Sequence, residues 1–400
     1  MSNQSKPPFR AEHLGSLLRP EKLLNKRHAI FEKGDTKDGL SQLEDESIQQ
    51  ILKVQQDIGF HAVSDGEYRR NMFWGTFFPS LEGMEEISQP SMDLFREYAP
   101  DVAAFLSKAQ EPAETVICTG KIRHTGKSSY IDQFEYMKTL LPQSEWGNIK
   151  MTLAAPNWYH FRYKEGKAYP ADVYSSDDEY FADIVKAYQT ELDILYKAGV
   201  RNVQVDDPNL AYFCDEKMLA GWKADKLNKH SPDQQLDAYI RFYNECFKRP
   251  SDMHLGVHLC RGNFVKSQHF AEGAYDRIAK TLFQDLNVST YYLEYDTPRA
   301  GGFEPLKFLP KDKKVILGVV TSKFPKLEDK QEMVSRVYKA ADFVAEGAGE
   351  SRQDALKRLG VSPQCGFASH ADGNSLGWDD MVNKLKLVRS IADEVWPGQP

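Results

Sequence analysis

The stretch HLGVHLC, residues 254–260, is an apolar run with no helical periodicity. It reads as a buried β-strand. Side chains two apart on a strand share a face, so His258 and Cys260 converge on one point at the strand's end. Neutral imidazole and thiolate together suit Zn²⁺. Downstream, Glu294 stands late in the strand-like run VSTYYLEYD (288–296) and Cys365 stands in SPQCGF, while CxxC occurs nowhere. Structural zinc sites favour paired ligands at short spacing, whereas single ligands from separate strands describe an open, catalytic site. The bland alternative is a buried His beside an inert Cys, because free Cys is among the most buried residue types.

Working outward, strand-like runs alternate with helical patterns along the whole chain. The strand candidates are AEHLGS (11–16), HAVSDGE (61–67), TVICTGKIR (115–123), NIKMTLAAP (148–156), NVQVDDP (202–208), HLGVHLC, VSTYYLEYD, KVILGVVT (314–321) and CGFAS (365–369). Apolar stripes at helical spacing lie between several of them: Phe181, Ile184, Tyr188 and Leu192; Leu236, Ile240, Tyr243 and Phe247; Met333, Val337 and Val344; Met381, Leu385 and Val388. The second stripe follows Ser231-Pro232-Asp233-Gln234, a capping-box pattern with Pro at the first helical position. Such alternation predicts an α/β fold with a parallel sheet covered by helices. Nine candidates exceed a (β/α)₈ TIM barrel by one. The run 115–123 is set aside, because it lies inside the longest gap between strands, 68–147. The expectation is one barrel domain over 1–400, with 68–147 as a long insertion after strand two, folded over the C-terminal mouth.

Ser16, Glu67, Asp206, Asp207, Cys260, Glu294 and Cys365 all fall at or near C-terminal ends of expected strands. In a barrel that end is the active-site face. Any one of them alone has a local reading as a helix cap; seven together point to a site.

Composition narrows the function classes. The 400 residues are 41% hydrophobic, enough for a large core, with a net charge of −7. A mildly acidic chain without a basic tract argues against nucleic-acid partners. The start, MSNQSKPPFR, lacks the apolar segment of a secretory signal, and no run is long enough to span a bilayer. Five cysteines without framework spacing suggest reduced thiols, hence a cytoplasmic protein and no membrane partner.

These residues, in this order, resemble the catalytic half of cobalamin-independent methionine synthase, and more closely its short single-barrel relatives, whose barrel is also of the uroporphyrinogen-decarboxylase type. The resemblance runs from His13-Leu14-Gly15-Ser16 to Cys365-Gly366. It implies a zinc ion held by His258, Cys260, Glu294 and Cys365. It implies an amino-acid thiol, homocysteine, held by the Leu14-Gly15-Ser16 turn, by Glu67 in DGEYRR and by Asp206 in VDDPNL, and it places Trp158 of APNWYHF beside the methyl donor. The donor side departs from the family pattern. The family's DEP reads Asp206-Asp207-Pro208 here, Tyr212 stands where an acid contacts folate, and Lys323 stands where a His serves as proton donor. No basic residue matches the one that precedes the family's third strand.

The implied reaction is zinc-dependent methyl transfer to the thiol of homocysteine or a similar amino-acid thiol, as in methionine biosynthesis. Zinc would deprotonate a thiol whose free pKa is about 8.5, and Glu294, the hardest donor, would be displaced most easily. Lys323, Tyr212 or His160 would protonate the leaving group, although His160, between aromatics, also reads as a packed side chain. The donor is a folate, a corrinoid or another methylated metabolite; the departures disfavour a polyglutamylated folate, and Lys323 could meet an anionic or corrinoid-borne donor. Three alternatives stand beside this reading. They are alkyl transfer to another thiol, as in coenzyme M transferases, a metal-free decarboxylase on a related barrel, and a non-catalytic zinc- or thiol-binding protein. Glu67 and Asp206 favour an amino-acid thiol over a sulfonate, which two acids would repel.

Overall fold

In a computed structural model, residues 6–107 and 114–400 are described. The expected insertion 68–147 therefore has residues 108–113 outside the described set. Among the described residues there are eight strands: β1 (Glu82–Ser88), β2 (Glu114–Arg123), β3 (Lys150–Ala154), β4 (Asn202–Asp206), β5 (His254–Leu259), β6 (Thr290–Glu294), β7 (Lys314–Val320) and β8 (Leu359–Pro363). The fold is α/β. Strands β3 to β8 form one parallel sheet in sequential order, and β1 and β2 pair antiparallel as a separate ribbon. The run 115–123 thus stays out of the large sheet, as the surplus-strand argument anticipated.

Strands β3, β4, β5, β6 and β8 are buried at every residue. That is the pattern of a parallel sheet covered on both faces. The helices that cover it follow the apolar stripes: Asp177–Ala198, Pro232–Cys246, Lys330–Ala348 and Trp378–Val395. Helix Pro232–Cys246 opens with the anticipated capping box, in which the Ser231 hydroxyl accepts from Gln234 and the Gln234 side chain accepts from the Ser231 amide. These two bonds satisfy amides that the helix itself leaves without partners.

The first two expected strands flank the sheet's edges through single parallel bridges, Ala11 to Val361 of β8 and Val63 to Ile149 beside β3. They touch each other through a Ser64 hydroxyl donating to the Gly15 carbonyl at 2.7 Å and a Leu17 amide donating to the Gly66 carbonyl at 3.1 Å. Two readings of the sequence shift. The eighth strand is Leu359–Pro363, and CGFAS is the loop that follows it. The ribbon strand β1 was not anticipated, because EGMEEIS buries one residue in seven and lacks a strand's apolar alternation.

Candidate active site

Parallel pairing brings the strand ends together. Asp206, last in β4, is the register partner of His258 in β5, and His258 is in turn the partner of Tyr292 in β6. Cys260 follows β5 directly, and Cys365 stands two residues past β8. The ligand atoms of His258, Cys260 and Cys365 lie within 4.8 Å of one another, and all three residues are buried. The His258 Nδ1 donates to the Tyr292 carbonyl oxygen at 3.1 Å, while the buried Nε2 has no hydrogen-bond partner. An orphaned imidazole nitrogen beside two sulfurs is a donor set suited to a soft or borderline cation.

The charges agree with that use. The hydrogen bond between the two sulfurs holds Cys260 well below the usual thiol range, with help from His258 and against the effect of burial. The same bond, together with burial, pushes Cys365 well above it. Burial opposes a charged His258, but the Cys260 sulfur and the Asp206 carboxylate raise its pKa on balance.

Glu294 is fully buried next to this group but outside it. Its Oε1 accepts from Arg299 at 2.7 Å and its Oε2 accepts from the Arg261 amide at 2.9 Å. Burial disfavours its charge, yet Arg261, Arg299 and Lys323 more than offset that and hold it below the usual carboxylate range. The loop bearing Cys365 is fixed by side chains without sequence motifs. Asn263 donates to the Gly366 carbonyl and to the Ser369 hydroxyl, both at 2.9 Å, and the Ser322 amide donates to Gln364 at 2.6 Å.

A cavity of about 140 Å³ opens over the sulfurs. Leu14, Ser16, Trp158, Asp206 and Tyr212 line it with the three cluster residues. Gly15 has φ +93°, and a Cβ there would lie 2.5 Å from Thr152 Cγ2 and 2.8 Å from Glu67 Oε1. Only glycine lets the turn pass so close to the carboxyl. Glu67 itself has φ +61°, a costly conformation for a non-glycine residue. The Thr152 hydroxyl donates to its Oε1 at 2.6 Å, and its Oε2 is buried without a partner. Burial raises Glu67 to about 7, helped by Asp206 and opposed by Arg70. Burial likewise raises Asp206 to about 6, with Cys260 adding to it. Asp206 lines the cavity and Glu67 is buried close enough to Asp206 to feel its charge; two neighbouring acids suit a positive charge.

Asp207, adjacent in sequence, does different work. Its Oδ1 caps the Leu210 amide at 3.1 Å and its Oδ2 accepts from the Tyr243 hydroxyl at 2.6 Å. His160 lies off the cavity wall, with Nδ1 2.8 Å from the Tyr239 hydroxyl and Nε2 3.2 Å from Asp177. Lys323 is buried and donates to the Gly262 carbonyl, to Asn263 and to the Gln268 carbonyl. Sequence reasoning missed Thr152, Arg70 and Gln204, which hold the two carboxyls, and the pair Asp101–Arg162, 2.6 Å apart on the cavity wall. DGEYRR hinted at Arg70; Asp101 and Arg162 are too far apart in the chain for any spacing signal.

Residues 171–394 match the family model described as the catalytic domain of cobalamin-independent synthase. The uncharacterized protein YxjG of Bacillus subtilis is 34% identical over 98% of this chain and 96% of its own length. A methionine synthase of Sulfurisphaera tokodaii is 20% identical over 96% and 92% of the two chains. Among solved structures, a Listeria monocytogenes protein provisionally named a vitamin-B12 independent methionine synthase superposes with a TM-score of 0.70 at 25% identity, over 98% of this chain and 99% of that one. A B12-independent methionine synthase from Shewanella, solved with selenomethionine, superposes with a TM-score of 0.64 at 19% identity, over 97% of each chain. The chain belongs to the cobalamin-independent methionine synthase family of methyltransferases.

Proposed function

We propose that the protein transfers a methyl group to the thiol of homocysteine or a closely similar amino-acid thiol, with one zinc ion held by His258, Cys260 and Cys365 and with Glu294 as the fourth, exchangeable ligand. The observation that carries this reading is the union of a His/Cys/Cys donor set with Asp206 in one cavity, with Glu67 buried beside Asp206. Bound zinc supplies acidification of the substrate thiol.

The chain's own residues do the rest. Glu67 and Asp206 receive the substrate ammonium as carboxylates. The Leu14-Gly15-Ser16 turn offers polar groups to the substrate carboxylate. Arg299 holds Glu294 when Glu294 is not a ligand, so exchange leaves no buried charge alone. Trp158 bounds the donor side of the cavity.

We also read the sheet as a closed (β/α)₈ barrel forming one domain, with 11–16 and 61–67 as the first two staves. Support comes from the bridges at both sheet edges and from the interior Lys150–Glu12 ion pair, 2.6 Å, which links segment one to β3. The residues between 68 and 147 that line the cavity, among them Phe73, Asp101 and Phe105, support that segment's place at the mouth. Among the described residues no helix is long and apolar enough to cross a membrane; the acidic surface and unpaired cysteines support a cytoplasmic site of action. Alkyl transfer to a sulfonate thiol remains the second reading only if the two carboxyls prove dispensable.

The test is direct: zinc-loaded protein is given homocysteine and a series of methyl donors, and methionine is measured. Formation of methionine, lost in Cys260→Ser, supports the proposal. Methylation of thiols lacking an amino group at equal kcat/KM would refute the amino-acid assignment.

A further inference from the structure

The donor side of the cavity has its own chemistry. Trp74 and Trp158 lie with centroids 5.0 Å apart at 33°, and Phe73 meets Trp158 edge-on at 5.1 Å. Across the mouth Phe105 meets Phe264 edge-on at 5.2 Å. All of these line the cavity. Apart from His258, the cysteines and the phenols of Tyr159 and Tyr212, the ionisable groups on the wall are three carboxyls, Asp101, Glu114 and Asp206, against one cation, Arg162, among the described residues. Arg162 is already engaged: its Nε donates to Asp101 at 2.6 Å and its guanidinium lies 3.8 Å over the Trp158 ring. Lys323, which sequence reasoning offered to an anionic donor, is absent from the wall and donates to three oxygens at 2.9–3.3 Å.

We propose that the methyl donor is a small methylated onium cation, a sulfonium or quaternary ammonium, seated against this aromatic, acid-rich wall above the acceptor sulfur. The inference rests on the thiol methyl-transfer reading. Aromatic faces attract cations through their quadrupoles, more strongly when water is excluded. Glu114, among the described residues the one wall carboxyl neither paired with Arg162 nor assigned to the substrate ammonium, adds to that attraction and repels a polyanionic donor such as a polyglutamylated folate.

The leaving group supplies an independent argument. The acceptor thiol loses its proton on binding, and its sulfur attacks the donor methyl. A carbon–sulfur bond forms as the bond from methyl to the positive sulfur or nitrogen breaks, its electron pair staying on the leaving atom. A thiolate and a cation become two neutral molecules, a thioether product and a thioether or tertiary amine, so the departing group needs no proton. Among the described residues, the proton donors that sequence reasoning offered are poorly placed for a leaving group. His160 is held away from it by Asp177 and Tyr239, Lys323 is saturated by its three acceptors, and burial pushes the Tyr212 phenol well above its ordinary range.

The test has a binding arm and a transfer arm, both on the zinc-loaded full chain. Choline and its neutral isostere 3,3-dimethylbutan-1-ol are titrated by calorimetry, and trimethylsulfonium is titrated alongside. The expected result is that choline or trimethylsulfonium binds at least tenfold tighter than the alcohol, and that this preference vanishes in both Trp158→Leu and the half-buried Trp74→Leu. In the transfer arm, homocysteine is offered S-methylmethionine, glycine betaine, 5-methyltetrahydrofolate and methylcobalamin, with an onium donor expected to give methionine fastest. Equal binding of cation and alcohol, a preference that survives both substitutions, or faster turnover with the folate or the corrinoid overturns the proposal and leaves the thiol reading intact. A cobalt-substituted protein whose thiolate-to-cobalt charge-transfer absorption does not increase when homocysteine is added overturns both.

Discussion

His258 donates its Nδ1–H to the carbonyl oxygen of Tyr292, 3.1 Å away and its register partner on the next strand. A carbonyl can only accept, so this bond places a proton on Nδ1 and leaves Nε2 as the nitrogen that a cation beside the sulfurs would take. Backbone geometry thus sets the ligand's tautomer, the role that outer hydrogen bonds play at metal sites. Because the partner is main chain, no side-chain substitution at 292 removes it.

The two adjacent acids of VDDP should separate cleanly on substitution. Asp207 caps a helix and holds the Tyr243 hydroxyl, so Asp207→Ala should cost about 2–3 kcal/mol of stability. Asp206 accepts one hydrogen bond, from Gln204 at 2.7 Å, and lines the cavity. Asp206→Asn should leave stability nearly unchanged while weakening homocysteine binding by about tenfold or more, since a hydrogen bond to a charged group contributes roughly 1.5–3 kcal/mol. Denaturant melts and calorimetric binding on both variants check this.

Gly15→Ala and Gly366→Ala probe the tight turns. A Cβ at Gly366 would lie 1.9 Å from the Ser16 hydroxyl oxygen, and one at Gly15 would meet Thr152 and Glu67 at a positive φ. Each substitution should destabilise the fold by about 1–3 kcal/mol, through strain and overpacking, and should weaken thiol binding. An alanine variant at either position with unaltered melting and binding would contradict the described packing.

Amino-acid binding should depend on pH through Glu67. Burial raises its folded pKa to about 7. Below that value it is neutral and cannot pair with an ammonium, so affinity for homocysteine should climb as pH rises from 6 to 8, with proton release on binding. In the ligand-free protein the sign is opposite. The folded state binds more protons than the unfolded chain above its ordinary carboxylate pKa, so this residue's contribution to stability falls as pH rises toward 7. Glu67→Gln should flatten both profiles. Titration calorimetry in buffers of different ionisation enthalpy reads the proton count, and thermal melts across the same range read the stability.

Much of this was legible in the sequence, for identifiable reasons. Strands such as HLGVHLC announce themselves by unbroken apolar runs, and helix Pro232–Cys246 by its cap and stripe. The eighth strand was displaced because LGVSP, with its Gly, Ser and Pro, has weak strand propensity, while the loop CGFAS beside it is small and apolar. The cluster residues were readable because strand ends converge on one face. Thr152, Asn263 and the Asp101–Arg162 pair were not, because they act through contacts between distant segments that leave no local pattern. Glu294, placed among the ligands by resemblance, proves to be shared with Arg299, a contact that spacing does not reveal.

The central claim is a zinc site that takes the substrate's sulfur. Zinc K-edge X-ray absorption on the purified protein, with and without homocysteine, tests it without any methyl donor. The account predicts one zinc per chain with two sulfur neighbours from Cys260 and Cys365 at about 2.3 Å, rising to three when homocysteine is added, and loss of the metal in Cys365→Ser. A sulfur count that stays at two with homocysteine bound, or zinc retained in full by the serine variant, would contradict it.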